Sequence, residues 1–390
     1  MTRPQILPFE RILTQEESNL IKRSIRTATD VFERWGYNYI KLPAFDHYDV
    51  HSRALGSRAS EVIVFKDSEG GSLVSLRADF TAQVVRSVSF FKVWHYPLRL
   101  YYFGTLFSSG GDTWETFQTG IELIGVDNVE GDAEVVSAIW DYLRALGIKE
   151  LVVSVGHVNI VNKLLDRVEE GLRDEVRRAF KERNLSLLKT AFGGGLIPKL
   201  PLIQSPEEAL AALSELGLEE ERRELELLGR YLREAGVRFT YDLSEVRDFP
   251  YYTGVVFEFF HPGLGSPVAG GGRYDRLSEA YGGEFPATGG SVYVDRLMNL
   301  FEPELEPKDY FVIDLSKDKR FGFKLASTLR SKGYRVGRDI VSRATEHSLD
   351  YAFSEGYRKA VVVLDERDVK VYTTVKDYTL LTLKEFLELV

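Results

Sequence analysis

The stretch YYFGTLFSSGGDTWETFQTGIELIG, residues 101–125, constrains the fold of this chain more than any other. Two apolar runs rich in strand-favouring residues flank a polar loop with adjacent glycines, so the chain must build a sheet around a long antiparallel hairpin. The same region sets a chemical limit. From Leu100 through Leu143 there is no lysine or arginine, while eight aspartates and glutamates fall in that span. Whatever the hairpin touches, it has no cation of its own to offer.

The segments around it alternate between helical and strand periods. TQEESNLIKRSIRTATDVFERWG predicts a helix, with Thr14 as N-cap, Glu17 three residues on, and Leu20, Ile21, Ile25, Ala28 and Phe32 along one stripe. After Gly36, YNYIKLPAF predicts a strand with Pro43 at its end or on an edge. EVIVFKDSEGGSLVSLR predicts a second hairpin, turning at Ser68-Glu69-Gly70-Gly71. DFTAQVVRSVSFFKVW returns to the helical period, and a helix near 131–146 precedes a strand at LVVSVG. Residues 158–235, charged and rich in Leu and Glu, predict an inserted helical subdomain broken at AFGGGLIPKLPLIQSPEE. Antiparallel strands are expected again at VRFTYDL, YYTGVVFEFF and GSPVAGGG, then a helix from Tyr274. ATGGSVYVDRLMNLF predicts a strand running into a helix. The proline- and acid-bearing FEPELEPKD (301–309) is the expected linker. It divides a core of residues 1–307 from a small α/β domain, 308–390, patterned β-α-β-α-β.

Composition narrows the function classes. The chain has no cysteine, which removes disulfides, thiolate metal sites and a cysteine nucleophile. Its six histidines are scattered without ligand spacing, so no metal site is expected. Residues 308–390 carry 16 Lys and Arg against 13 Asp and Glu; the rest carries 34 against 46, which argues against a nucleic-acid face there. No apolar run is long enough to span a membrane and the start lacks a signal-peptide core, so a cytoplasmic protein is expected.

Five segments in order, LRADFTAQVVR (76–86), FQTGIELIG (117–125), VRDFPYYTGVVFE (246–258), AGGGRYD (269–275) and GGSVYVDRL (289–297), resemble class II aminoacyl-tRNA synthetases, histidyl-tRNA synthetase in particular. The resemblance implies an α+β fold: an antiparallel sheet of six or seven strands flanked by helices, dimerising around Pro43. It also implies a histidine site. Asp79, where the family usually has glutamate, and Thr81 match the pair that holds the α-amino group. Gln118 and Glu122, four apart and so on one face of a strand, match side chains that approach the amino acid. Arg247 matches the arginine that meets the carboxylate, and Tyr251 and Tyr252 would wall the imidazole. A lone Gln or Glu on a strand ordinarily faces water, and paired tyrosines ordinarily pack a core; only their joint spacing carries the reading.

The nucleotide half departs from that pattern. Ser108 stands where the synthetases clamp the ATP α-phosphate with an arginine, and the loop brings Asp112 and Glu115 instead of cations. Arg296 is kept, but Tyr293 replaces a glycine. Adenylation develops negative charge that positioned cations must stabilise, and removing one such donor costs about 2.7–4 kcal/mol of barrier. A retained histidine site beside an eroded ATP site resembles the synthetase paralogues that serve as regulatory subunits of ATP phosphoribosyltransferase. That resemblance implies a chain with no catalytic residue and no cofactor. It would bind free L-histidine and pair, as a homodimer within a hetero-oligomer, with a short catalytic subunit in the first step of histidine biosynthesis. An active histidyl-tRNA synthetase and another class II-like ligase or tRNA-binding module are the competing readings, with the tail resembling a shortened anticodon-binding domain.

Overall fold

A capping box starts the first helix, α1 (Gln15–Arg34): Thr14 N–H donates to Glu17 Oε2 at 2.8 Å and Glu17 N–H to Thr14 Oγ1 at 3.3 Å. Its buried stripe is Leu20, Ser24, Ala28, Val31 and Phe32. In this computed structural model, which describes residues 7, 9–67, 70–91, 94–302, 304–317, 319–341 and 343–390, the chain divides into two compact units. One is Met1–Ile12 with Leu20–Glu302, the other Leu13–Asn19 with Pro303–Val390.

The single strand expected over 37–45 is two short ones, β1 (Asn38–Tyr39) and β2 (Phe45–His47). Pro43 has no N–H for a ladder, and the carbonyls of Leu42 and Pro43 turn to the Arg77 guanidinium instead, at 3.3 and 3.1 Å. Helix α2 (Tyr48–Leu55) and a 3₁₀ turn (Gly56–Glu61) lead to the second hairpin, β3 (Val64–Lys66) and β4 (Leu73–Leu76). It forms a three-stranded sheet in the order β2-β4-β3. Ser68 and Glu69 of its expected turn lie outside the described residues; Gly71 takes a positive φ of 68°.

After α3 (Phe80–Phe91), the long hairpin forms as its alternation requires, β5 (Leu98–Phe107) against β6 (Glu115–Ile124). Then come α4 (Val129–Ala145), β7 (Val152–His157) and a helical run: α5 (Val158–Leu165), α6 (Arg173–Lys181), α7 (Leu185–Phe192), α8 (Pro206–Glu215) and α9 (Glu219–Glu234). β8 (Phe239–Tyr241), β9 (Val255–Phe260), β10 (Ala269–Arg273), β11 (Ala287–Tyr293) and the short α10 (Val294–Leu297) complete the unit. The helix expected from Tyr274 is only a 3₁₀ turn, Leu277–Tyr281, stopped by Gly282 in the left-handed region.

These strands make an eight-stranded sheet in the order β1-β5-β6-β11-β10-β9-β7-β8. The six inner strands are antiparallel. The edges differ from the sequence expectation: β1 runs parallel to β5, and β8, the VRFTYDL segment, runs parallel to β7. Parallel neighbours need a long crossover, and the helices of 158–234 are the crossover from β7 to β8. Successive residues face opposite sides of the sheet. Tyr101, Ile121 and Leu123 pack with Phe32, Ile139 and Tyr142 on one side, while Tyr102 and Ile124 pack with Phe80, Val84 and Phe285 on the other.

The second unit holds β12 (Lys308–Asp314), α11 (Arg320–Ser331), β13 (Val336–Arg338), α12 (Thr345–Ser354) and β14 (Tyr357–Val363), the expected alternation. An antiparallel extension that the sequence reading left unassigned follows: β15 (Asp368–Tyr372), β16 (Tyr378–Thr382) and α13 (Leu383–Leu389). The sheet order is β13-β12-β14-β15-β16.

Candidate functional site

A cavity of about 480 Å³ opens on the side of the large sheet that α3 covers. Asp79 sits just before α3 and caps it, its Oδ1 accepting the Ala82 N–H at 2.6 Å. Burial pushes this carboxyl up to about 6, against the pull of that N–H and of the Arg58 charge. Two residues on, Thr81 Oγ1 donates to Glu122 Oε1 at 2.7 Å.

Glu122, on β6, is wholly buried. Its carboxyl also accepts from the Tyr102 hydroxyl at 3.2 Å and from the Tyr274 hydroxyl. Burial pushes it up to about 7, while those three hydroxyls pull it down. The backbone makes room for it: Gly289 on β11 lies directly opposite Glu122, and a Cβ there would stand 1.7 Å from Oε2. Gln118 shares this face, as spacing of four required, and lines the cavity. Glu122 lies one layer below, holding three residues that line it: Thr81, Tyr102 and Tyr274.

Tyr251 and Tyr252 form an aromatic wall, their ring centres 4.8 Å apart, with Phe249 stacked on Tyr251 at 5.3 Å and Tyr274 edge-on to it at 5.9 Å. Arg247 is not in this cavity. It lines a neighbouring one of about 330 Å³, whose wall shares Phe249 and Tyr293 with the first. There its Nη1 donates to Glu258 Oε1 at 2.6 Å and its Nε lies 3.2 Å from Glu245 Oε1. Burial pushes the Glu245 carboxyl up to about 7, against the Arg247 charge. The Arg247 guanidinium stands 6.0 Å from the Tyr252 ring centre, so one ring separates it from the main cavity.

The other end of the cavity holds the residues read as a worn nucleotide site. Ser108, just past β5, donates through Oγ to Glu61 Oε2 at 3.1 Å. Tyr293 lies opposite Gln118 across β6 and β11. Arg296 is exposed, donates through Nη1 to the Pro267 carbonyl at 2.6 Å and covers the Tyr293 ring at 4.2 Å. Sequence reasoning missed Arg58. It reaches the cavity from the 3₁₀ turn, pairs with Glu61 and lies 5.2 Å from the Phe249 ring centre. Its Arg-x-x-Glu spacing reads only as a local ion pair, and nothing in the sequence ties that turn to the hairpin loop. Among the described residues no cluster of His, Asp and Glu is placed to hold a metal ion.

The histidyl-tRNA synthetase family model matches residues 10–297. An ATP phosphoribosyltransferase regulatory subunit of Aquifex aeolicus (strain VF5) is 46% identical over 386 residues, 99% of each chain. The chain belongs to the ATP phosphoribosyltransferase regulatory subunits. A histidine–tRNA ligase of Methanocaldococcus jannaschii is 32% identical over 372 residues, 89% of each chain. A crystal structure from Bacillus halodurans C, titled an ATP phosphoribosyltransferase regulatory subunit/histidyl-tRNA synthetase, superposes with a TM-score of 0.79 at 27% identity, over 92% of this chain and 98% of that one. Histidyl-tRNA synthetase from Nostoc sp. PCC 7120 shares the fold, with a TM-score of 0.81 at 18% identity over 99% and 98% of the two chains. This regulatory subunit is therefore a non-catalytic, class II synthetase-like chain of histidine biosynthesis.

Proposed function

We propose that the cavity binds free L-histidine and that the chain, a cytoplasmic homodimer within a hetero-oligomer, makes a short ATP phosphoribosyltransferase catalytic subunit active and histidine-sensitive. The observation that carries this reading is the asymmetry of the cavity. One end offers a buried acid, a hydroxyl, an amide and two tyrosines; the other offers a serine held by a carboxylate where a phosphate clamp would be required. Asp79 suits an α-ammonium group, and Gln118 with the tyrosine hydroxyls suits the two ring nitrogens, which need one donor and one acceptor. The carboxylate is assigned to Arg247, which must leave one of its two acidic partners to reach it. Histidine can bias a partner only through different affinities for two states of the assembly, and couplings of about 1–3 kcal/mol, roughly 5–150-fold, are typical.

Titration calorimetry tests the site: histidine binds without ATP. Robust histidine-dependent ATP–pyrophosphate exchange would instead identify a working synthetase, with tRNA charging to be measured next.

A further inference from the structure

The end of the cavity lined by Ser108 has the makings of an anion site. Arg58 and Arg296 are the cations among the described residues that line the cavity, Ser108 adds a hydroxyl, and Gly110 and Gly111 put a loop without side chains at its edge. Yet the guanidinium of Arg58 is already engaged. Glu61, three residues on in the same turn, meets it with Oε2 at 3.0 Å from Nη2 and 3.3 Å from Nε. The same Oε2 accepts the Ser108 hydroxyl at 3.1 Å.

Three donors thus converge on one carboxylate oxygen, as they would on an oxygen of a bound phosphate. The hydrogen bond from Arg58 keeps this carboxyl below its ordinary range, so it is ionised at neutral pH. The loop closes over it: a Cβ on Gly110 would come within 2.6 Å of Glu61 Cδ. The anchoring of that loop does not depend on the carboxylate alone. Ser109 donates through its N–H and its Oγ to the Glu61 carbonyl, at 2.9 and 3.0 Å, and those bonds survive a change of side chain.

We infer that Glu61 is a built-in anion that plugs a polyphosphate subsite, and that neutralising it opens the subsite to a polyphosphate from solution. The inference rests on the reading that this cavity takes an amino acid and no nucleotide. It makes exclusion of the nucleotide active: the subsite is filled by the chain's own carboxylate, beyond having lost a cation at position 108.

The test titrates wild type, Glu61→Gln, Glu61→Ala and the double variant Arg58→Ala/Glu61→Gln with pyrophosphate and with ATP, at low and high salt, by calorimetry. Wild type should show no saturable binding. Both single variants should bind both probes at least tenfold more tightly than wild type, with the gain eroded by salt as screening requires. The double variant should lose it. Glu61→Gln keeps the size of the side chain and an acceptor for Ser108, so it carries the test if the alanine variant unfolds. Binding no tighter than wild type, tightening that persists without Arg58, or tightening confined to ATP would each overturn the plug. Histidine titrated into the same samples keeps the two readings apart. Its failure to bind wild type would end the proposed function, while the pyrophosphate arms alone decide the plug.

Discussion

Glu122 organises three hydroxyls with one carboxyl group, and its removal should be felt as stability before it is felt as binding. Glu122→Ala strands the hydroxyls of Thr81, Tyr102 and Tyr274, each of which costs about 1–3 kcal/mol if buried without a partner. Glu122→Gln keeps an acceptor and should be far milder; urea midpoints of the two variants check this ordering. An acid whose folded pKa exceeds its unfolded value contributes stability that is present below the unfolded pKa and lost as pH rises through the folded one. For Glu122 that window runs from about 4.5 to about 7. From pH 5.5 to 7.5 wild type should therefore lose about 2 kcal/mol relative to Glu122→Gln, measured by urea unfolding at both pH values. Arg247→Ala leaves Glu245 and Glu258 facing each other without their shared cation. Breaking a buried pair in this way costs about 3–5 kcal/mol, and histidine affinity measured by calorimetry should fall with it. A variant as stable as wild type that binds histidine normally would remove Arg247 from the site.

Among the elements, legibility followed the length and locality of the signal. β5 and β6 are ten residues each, and their alternation fixes the hairpin and the shared face of Gln118 and Glu122. β1 and β8, of two and three residues, have too little sequence to declare a direction; their parallel pairing follows from crossovers hundreds of atoms long. The aromatic wall and Thr81 were legible through motif order. Arg58 was not, because a single short 3₁₀ turn has too few repeats to reveal which way its side chains aim, and neither was the placement of Arg247 behind Tyr252, which depends on Glu258 eleven residues on. The glycines of β10 and β11 let the two backbones approach closely: a Cβ on Gly271 would lie 2.1 Å from the Gly289 carbonyl oxygen. Gly289→Ala should cost about 3 kcal/mol as overpacking against Glu122, visible as a lowered Tm.

For the whole molecule, the proposed role turns on a second protein. Mixing this chain with a purified short catalytic subunit should raise phosphoribosyl-ATP formation, make it fall when histidine is added, and give co-elution on a sizing column; unchanged activity with separate elution would sink the assembly. Within the first unit, the cavity floor has one more consequence. Gly289 and Gly290 on one strand face Gly272 and Gly271 on the next, and any side chain added to Gly289 or Gly271 would strike Glu122 or backbone. An engineer seeking a sensor for another metabolite has no freedom in that floor. Redesign must be written on the rim, at Arg58, Glu61, Ser108 and the tyrosine wall, where side chains can change length and charge while the sheet beneath stays as it is.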